Sequence, residues 1–304
     1  MSYLDFFGLR SEPFSNAPVS RFYFDSDQHR QALKRLIHVV ERMKGLAVLV
    51  GEIGAGKTTL ARRLLDELPE AEYEAALLVI VHSGITANWL LNRIAVQLGV
   101  LEPAEEKLAL LAQLYQRLVQ IYQEGRKAVV LIDEAQMLQT RELMEEFRGL
   151  LNLEVPERKL LTFVFFGLPE IEDNLKLDPP LQQRVAMRYR LSTLTAADTG
   201  AYVEHRLWQA GATRNPFSED SIQRLHAITH GTPRAINTVA DNALLEAYFD
   251  ANLTVEGDVI QRVGENLGLM VGDRSPPKVT KEVSGRRPVD LGEIDRYLEG
   301  LRRR

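Results

Sequence analysis

Over the first two thirds of the chain, short unbroken apolar runs alternate with segments of helical periodicity. Ala47–Val50, the stretch EAALLVIVHS that follows Tyr73, Val129–Ile132 and the stretch LLTFVFFG at 160–167 lack the length of a helix and a polar face. Each predicts a strand buried in a parallel sheet. Helices are expected between them. One runs from about 28 to 44, with Leu33, Leu36, Ile37 and Val40 on one face and Asp27 as its cap. Another starts near Lys57 and carries Leu60, Leu64 and Leu65. A third covers 87–99 and stops at Gly99. A fourth, 104–124, is amphipathic through Leu108, Leu111, Leu114, Leu118 and Ile121, and a fifth, 141–152, is closed by Pro156. A helix over 181–187 (LQQRVAM) and a short strand in RYRLSTL finish this part. Strands in alternation with helices predict an α/β fold with a doubly wound parallel sheet over residues 29–195.

From Thr195 the strand pattern stops. A helix capped by Thr195 and ended by Gly211, two more over SEDSIQRLHAITHG and TPRAINTVADNALLEAYF, and a last one starting at Thr254 predict a helical domain over 196–268. The two ends of the chain are different again. Residues 1–28 are rich in Phe and Tyr and broken by Pro13 and Pro18, which predicts an extended arm rather than a regular helix, packed on the domain that follows it. Some of its aromatic faces are suited to walling an adenine ring. Residues 269–288, with Pro276, Pro277 and Pro288, predict a flexible linker. In 289–304, Leu291, Ile294, Leu298 and Leu301 form one apolar seam of a short helix that is expected to dock on a partner or an adjacent subunit.

Candidate chemistry is concentrated after the first strand. Gly51-Glu52-Ile53-Gly54-Ala55-Gly56-Lys57-Thr58, followed by Thr59, is a complete phosphate-binding loop between a predicted strand and a predicted helix. Its glycines let backbone N–H groups approach phosphate oxygens, and the helix start adds the positive end of its dipole. Lys57 supplies charge to the β- and γ-phosphates, and the Thr58 hydroxyl is a Mg²⁺ ligand. The strand Val129–Ile132 runs into Asp133-Glu134. At the C-terminal end of a parallel strand, these carboxylates are placed to hold Mg²⁺ (Asp133) and to polarise the attacking water (Glu134).

Composition narrows this picture without changing it. The chain has 304 residues, 26% charged and 45% hydrophobic, with a net charge of −5, so bulk charge does not favour coating nucleic acid. Cysteine is absent, which removes thiolate zinc sites and thiol catalysis. No apolar run reaches membrane-spanning length, and the first residues lack a signal-peptide pattern, so a cytoplasmic protein is expected. His82, His205, His226 and His230 have no metal-ligand spacing with carboxylates.

The phosphate loop, LIDEAQ, an arginine-bearing segment and a helical domain with GTPRAIN together resemble the AAA+ ATPases. The arm YLDFFGLRSEPFSNAPVSRFYF, the run GLAVLVGEIGAGKTTLARRLL and the GTPRAIN turn look like the ExeA/GspA-like group, named for the type II secretion ATPase and related to the TnsC/TniB transposition ATPases. The resemblance covers about residues 1–268. It implies ATP and Mg²⁺ as ligands and a ring or helical homo-oligomer. It also implies that 196–268 is a lid, with Arg234 reaching the γ-phosphate and Arg184 acting as an arginine finger on a neighbouring subunit; Arg188 and Arg190 compete for that role. One position departs from the pattern: Leu168, where a polar side chain is usual, which implies slow hydrolysis or help from a partner. Three uses follow from the resemblance: an assembly or regulatory ATPase of a secretion or pilus machine, an ATP-dependent filament on DNA, or a slow nucleotide-gated scaffold. The protein partner stays unidentified.

Overall fold

The computed structural model describes residues 2–17, 19–156 and 158–269; the expected tail helix with Leu291, Ile294, Leu298 and Leu301, and the linker before it from residue 270, lie outside the described residues. The chain opens with α1 (Tyr3–Phe7), passes a 3-10 turn at Ser20–Phe22 and enters α2 (Asp27–Glu41). There follow β1 (Leu46–Gly51), α3 (Lys57–Asp66), β2 (Tyr73–Val79), α4 (Ala87–Gln97), α5 (Lys107–Gln123) and β3 (Lys127–Asp133). A 3-10 turn at Ala135–Met137 leads to α6 (Arg141–Leu150), the small hairpin β4 (Glu154–Val155) and β5 (Arg158–Lys159), then β6 (Leu161–Gly167). Two short helices, α7 (Ile171–Leu175) and α8 (Pro179–Gln182), precede β7 (Val185–Leu191). The last part is α9 (Ala196–Gln209), α10 (Glu219–Thr229), α11 (Pro233–Phe249) and α12 (Gly257–Asn266).

Five strands form one parallel sheet in the order β2-β3-β6-β1-β7. Alternate residues of each strand face opposite layers, as the period of two requires. Val48, Val50, Val130, Ile132, Phe163 and Phe165 pack against α4, α5 and α6, where the Phe147 ring meets Phe163 and Phe165 at 4.9 and 4.8 Å. Ala47, Leu49, Val129, Leu131, Val164 and Phe166 face α2 and α3. Register brings the C-terminal ends of the central strands level: Val50 lies beside Gly167 and Gly51 beside Leu191. The site is built at this rim.

A separate apolar cluster holds the four C-terminal helices together, and the arm belongs to it. The expected extended arm contains a helix after all: Ser2 and Asp5 form a reciprocal capping box around α1, and Gly8, at φ 67°, ends it. The arm packs mainly on the helical region, burying Phe7, Leu9, Phe14 and Phe22, while Tyr23 meets the α/β domain at His29 and Arg63.

Other boundaries shift for local reasons. Ser26, not Asp27, caps α2, its side chain accepting from the His29 N–H. Glu106 caps α5 in the same way, which leaves Leu108 in the first turn and 73% exposed, while Leu110, Leu114, Leu118 and Ile121 fill the core. The helix expected over 181–187 stops at Gln182, because Val185 already pairs with Leu46 and the following residues alternate between partly covered and exposed. The last helix starts at Gly257 rather than Thr254, since Val255 bridges Phe217. Among the described residues, no helix is long and apolar enough to cross a membrane.

Candidate functional site

A cavity of about 560 Å³ opens at the rim of the sheet, lined by the phosphate-loop residues Ile53, Gly54, Gly56, Lys57, Thr58 and Thr59, and by Glu134. Gly51, Glu52 and Ala55 shape the loop from behind it. Both Gly54 (φ 79°) and Gly56 (φ 100°) adopt backbone that disfavours a side chain, and each is hemmed in. A Cβ on Gly54 would sit 2.6 Å from that of Arg234, and one on Gly56 would sit 2.9 Å from His29 Nε2.

Lys57 is nearly buried, and its ammonium donates to the carbonyls of Gly51 at 2.8 Å and Glu52 at 2.9 Å. Burial pulls its pKa below the usual lysine range, against the opposing pull of Glu134 and Asp133. An amine held by neutral carbonyls beside a phosphate-shaped loop is free to exchange them for phosphate oxygens. Asp133 is also buried, and desolvation pushes its carboxyl up, partly offset by the neighbouring Thr58 side chain. Its Oδ1 accepts the Glu134 N–H at 2.9 Å, whereas Oδ2 has no hydrogen-bond partner. A buried carboxylate oxygen without a donor, next to a threonine hydroxyl, suits a hydrated Mg²⁺. Glu134 itself adopts a left-handed backbone at φ 55°, which turns it away from the line of β3 and into the cavity.

The opposite wall comes from the arm and the helical region: Asn16, Tyr23 and Phe24 from the one, Tyr202, Arg206 and Asn237 from the other. Helix α11 starts directly over the phosphate loop, the Arg234 N–H reaching the Gly54 carbonyl at 3.3 Å, so the Arg234 side chain lines the cavity from its first turn. Arg184 is not in this group. It precedes β7 at the other end of the sheet, where it donates to the Arg148 carbonyl and to Asn152. Arg188 and Arg190 are exposed on β7, and Arg190 lies 3.8 Å from Glu172.

Three residues of the site lie outside the sequence expectations. Arg206, 5% exposed, donates to the carbonyls of Pro13 and Ser15 at 2.5 and 2.6 Å and lies over the Phe22 ring at 4.5 Å. It thereby ties the arm to α9. His29 accepts or donates at Ser26 Oγ, 2.7 Å away, and its ring also hydrogen-bonds the Ala55 backbone. Gln136, 6% exposed, donates to the Glu134 carboxylate and accepts the Leu168 N–H at 3.0 Å. A polar side chain two residues after the Asp133-Glu134 pair was the available hint for Gln136; Arg206 sits in an ordinary helical pattern and offered none.

Comparison with known proteins agrees with this geometry. Residues 40–175 match the family described as AAA domain. The chain is 36% identical over 261 residues to General secretion pathway protein A of Aeromonas hydrophila; the match covers 84% of this chain and 47% of that protein, so the chain spans about half its length. Among solved structures, the Cdc6p protein of Pyrobaculum aerophilum superposes with a TM-score of 0.63 at 19% identity, covering 84% of this chain and 70% of that one. The ORC2 protein of Aeropyrum pernix, solved as ADPNP-ADP complexes, gives 0.62 at 16% identity, covering 84% and 71%. These two speak for the fold. Residues 40–175 therefore carry an AAA domain, in a chain that shares the fold of these solved structures and is similar over 261 residues to General secretion pathway protein A.

Proposed function

We propose that this protein is a Mg²⁺-dependent ATPase that works as a homo-oligomer in the cytoplasm to drive or regulate assembly of a secretion- or pilus-type machine. The observation that carries the hydrolysis reading is the convergence of Lys57, Thr58, Glu134 and Arg234 on one cavity, with Asp133 beneath it. The link to a machine of this kind rests on similarity to a relative named for the general secretion pathway.

In this reading the loop N–H groups of 53–58 cradle the phosphates of ATP, and Lys57 leaves the Gly51 and Glu52 carbonyls for the β- and γ-phosphate oxygens. Thr58 and Asp133 would hold Mg²⁺, which supplies charge neutralisation on the transferring phosphoryl group. Glu134 accepts the proton of the attacking water as the water's oxygen bonds to γ-phosphorus and the bond to the β-phosphate oxygen breaks. Arg234 joins the γ-phosphate from the first turn of α11, so its grip links the helical lid to nucleotide state. Arg184, remote from its own chain's cavity, serves a neighbouring subunit in trans.

Enzyme assays on single and mixed variants test all of this. Lys57→Ala should abolish ATP binding, and Glu134→Gln should keep binding and stop turnover, because it removes only an interaction of the chemical step. Mixing inactive Arg184→Ala with Lys57→Ala should restore part of the activity, since each keeps the half-site that the other lacks. Turnover at the wild-type rate in Glu134→Gln would defeat the base assignment; no recovery in proven mixed oligomers would defeat the finger.

A further inference from the structure

Position 168 is where AAA+ proteins place a polar side chain to meet the water or the γ-phosphate, and here it is leucine. Gln136 fills the same corner from a different element. It sits in the 3-10 turn that follows Glu134, and its carboxamide is used at both ends. The Nε2 group donates to Glu134 Oε2, and Oε1 accepts the main-chain N–H of Leu168 at 3.0 Å. Its own carbonyl accepts the Asn174 side-chain amide at 2.9 Å, which holds the turn to α7. The fit is close: a Cβ on Gly167 would come within 3.1 Å of Gln136 Oε1 and 3.2 Å of its backbone nitrogen. Glycine at the end of β6 is therefore what admits this side chain.

We propose that Gln136 is a positioning residue for Glu134, supplying through its carboxamide the anchorage to the end of β6 that the Leu168 side chain does not. The inference rests on the hydrolytic reading above. Glu134 needs such an anchor because its left-handed backbone is held only where its surroundings over-determine it. With Oε2 bound by Gln136, the carboxylate is restrained in rotation at the wall of the cavity. Because the amide also grips the Leu168 N–H, any displacement of the β6 end moves the base with it. Gln136 thus ties the base to the end of β6 from a neighbouring turn, a task for which the Leu168 side chain has no polar atom.

The test uses the full chain and four variants. Gln136→Met keeps the side-chain length and removes both hydrogen bonds. It should lower kcat by roughly 10- to 100-fold, the range for loss of one preorganised polar contact, with KM and ATP affinity within about twofold of wild type. In a Glu134→Gln background, which has no turnover left to lose, the same change should leave ATP affinity within about twofold, because its only route to the chemistry is through the carboxylate. Adding Leu168→Gln to Gln136→Met should recover a measurable part of kcat by restoring a polar side chain to that corner; a merely structural defect would not be rescued there. Unchanged or increased kcat in Gln136→Met, a loss of ATP affinity in the Glu134→Gln background, or no rescue by Leu168→Gln while ATP affinity stays intact would each overturn the assignment. A wild-type protein that binds ATP and does not turn it over would instead overturn the hydrolytic reading, and this inference with it.

Discussion

The loop side of the cavity is made by residues 51–59 and 133–136, whose partners in space are set by strand register between β1, β3 and β6. The other side joins residues 13–24 of the arm to 202–237 of the helical region, through contacts nearly 200 residues apart in sequence. Both sides are well packed, yet they depend on different things. The loop side is held by backbone geometry and by a sheet buried on both faces, so single side chains matter mainly for chemistry. The arm side has no ladder to hold it. It depends on a few buried aromatics, on one guanidinium that satisfies two carbonyls, and on scattered hydrogen bonds such as Arg10 N–H to the Ala210 carbonyl and Asn237 to Asn16.

The contrast can be broken most forcefully at Arg206. Arg206→Met leaves the Pro13 and Ser15 carbonyls without their charged donor inside an apolar cluster. The loss should be about 2–3 kcal/mol for hydrogen bonds of this kind. Limited proteolysis should then cut within the arm while the sheet stays resistant, and the melting temperature should fall. An arm as protected as in wild type, with unchanged melting, would show that the arm is held without the guanidinium.

A middle-sized effect is expected where the two sides touch. Gly54→Ala places a Cβ against Arg234 in a backbone region that costs a non-glycine residue roughly 1–2 kcal/mol. ATP affinity should drop by about tenfold or more, as expected of a strain of that size, while circular dichroism stays that of the folded protein. Wild-type affinity in this variant would mean that α11 does not rest on the loop in solution.

The smallest effect sharpens the comparison by pH. His29 lies between the arm's end and the phosphate loop, and burial sets its pKa below the ordinary 6.5. The folded state thus binds fewer protons there than the unfolded chain. Its contribution to stability is complete above 6.5 and is lost as pH falls through the lower folded value. The buried Asp133 carboxyl, with its raised pKa, acts in the opposite direction, so wild-type and variant must be compared. Between pH 7 and 5, His29→Asn should show a smaller loss of melting temperature than wild type. Identical slopes would remove His29 as a source of the acid sensitivity.

How far the sequence could be read follows the same division. Val129–Ile132 and 160–167 announced their strands because they are buried on both faces, and the phosphate loop announced itself by spacing. β7 was half legible: the strand expected in RYRLSTL is its second half, whereas its start reads as helix, because at the sheet's edge Ala186 and Arg188 are exposed and LQQRVAM carries enough helix formers to pass for a helix. The arm was hidden for another reason. Its aromatics advertised burial but not against what, since no local pattern in 1–28 points to Tyr202 or Arg206. Gln136 escaped because its role depends on the Leu168 N–H meeting it across two strands' ends.

The arm's distant partnership also sets an order of events during synthesis. Tyr3 hydrogen-bonds Asp241, 238 residues later. At a translation rate of about 5–20 residues per second, the arm leaves the ribosome some ten to fifty seconds before α11 exists to receive it. Through that interval Phe7, Phe14 and Phe22 have no cluster to enter, whereas the sheet can close behind them as β7 emerges. The arm is made before the sheet and folded after it, and the nucleotide cavity has one wall only until then. A nascent chain halted after β7 would therefore carry its phosphate loop beside an open flank, with its amino-terminal aromatics exposed as a binding site for chaperones.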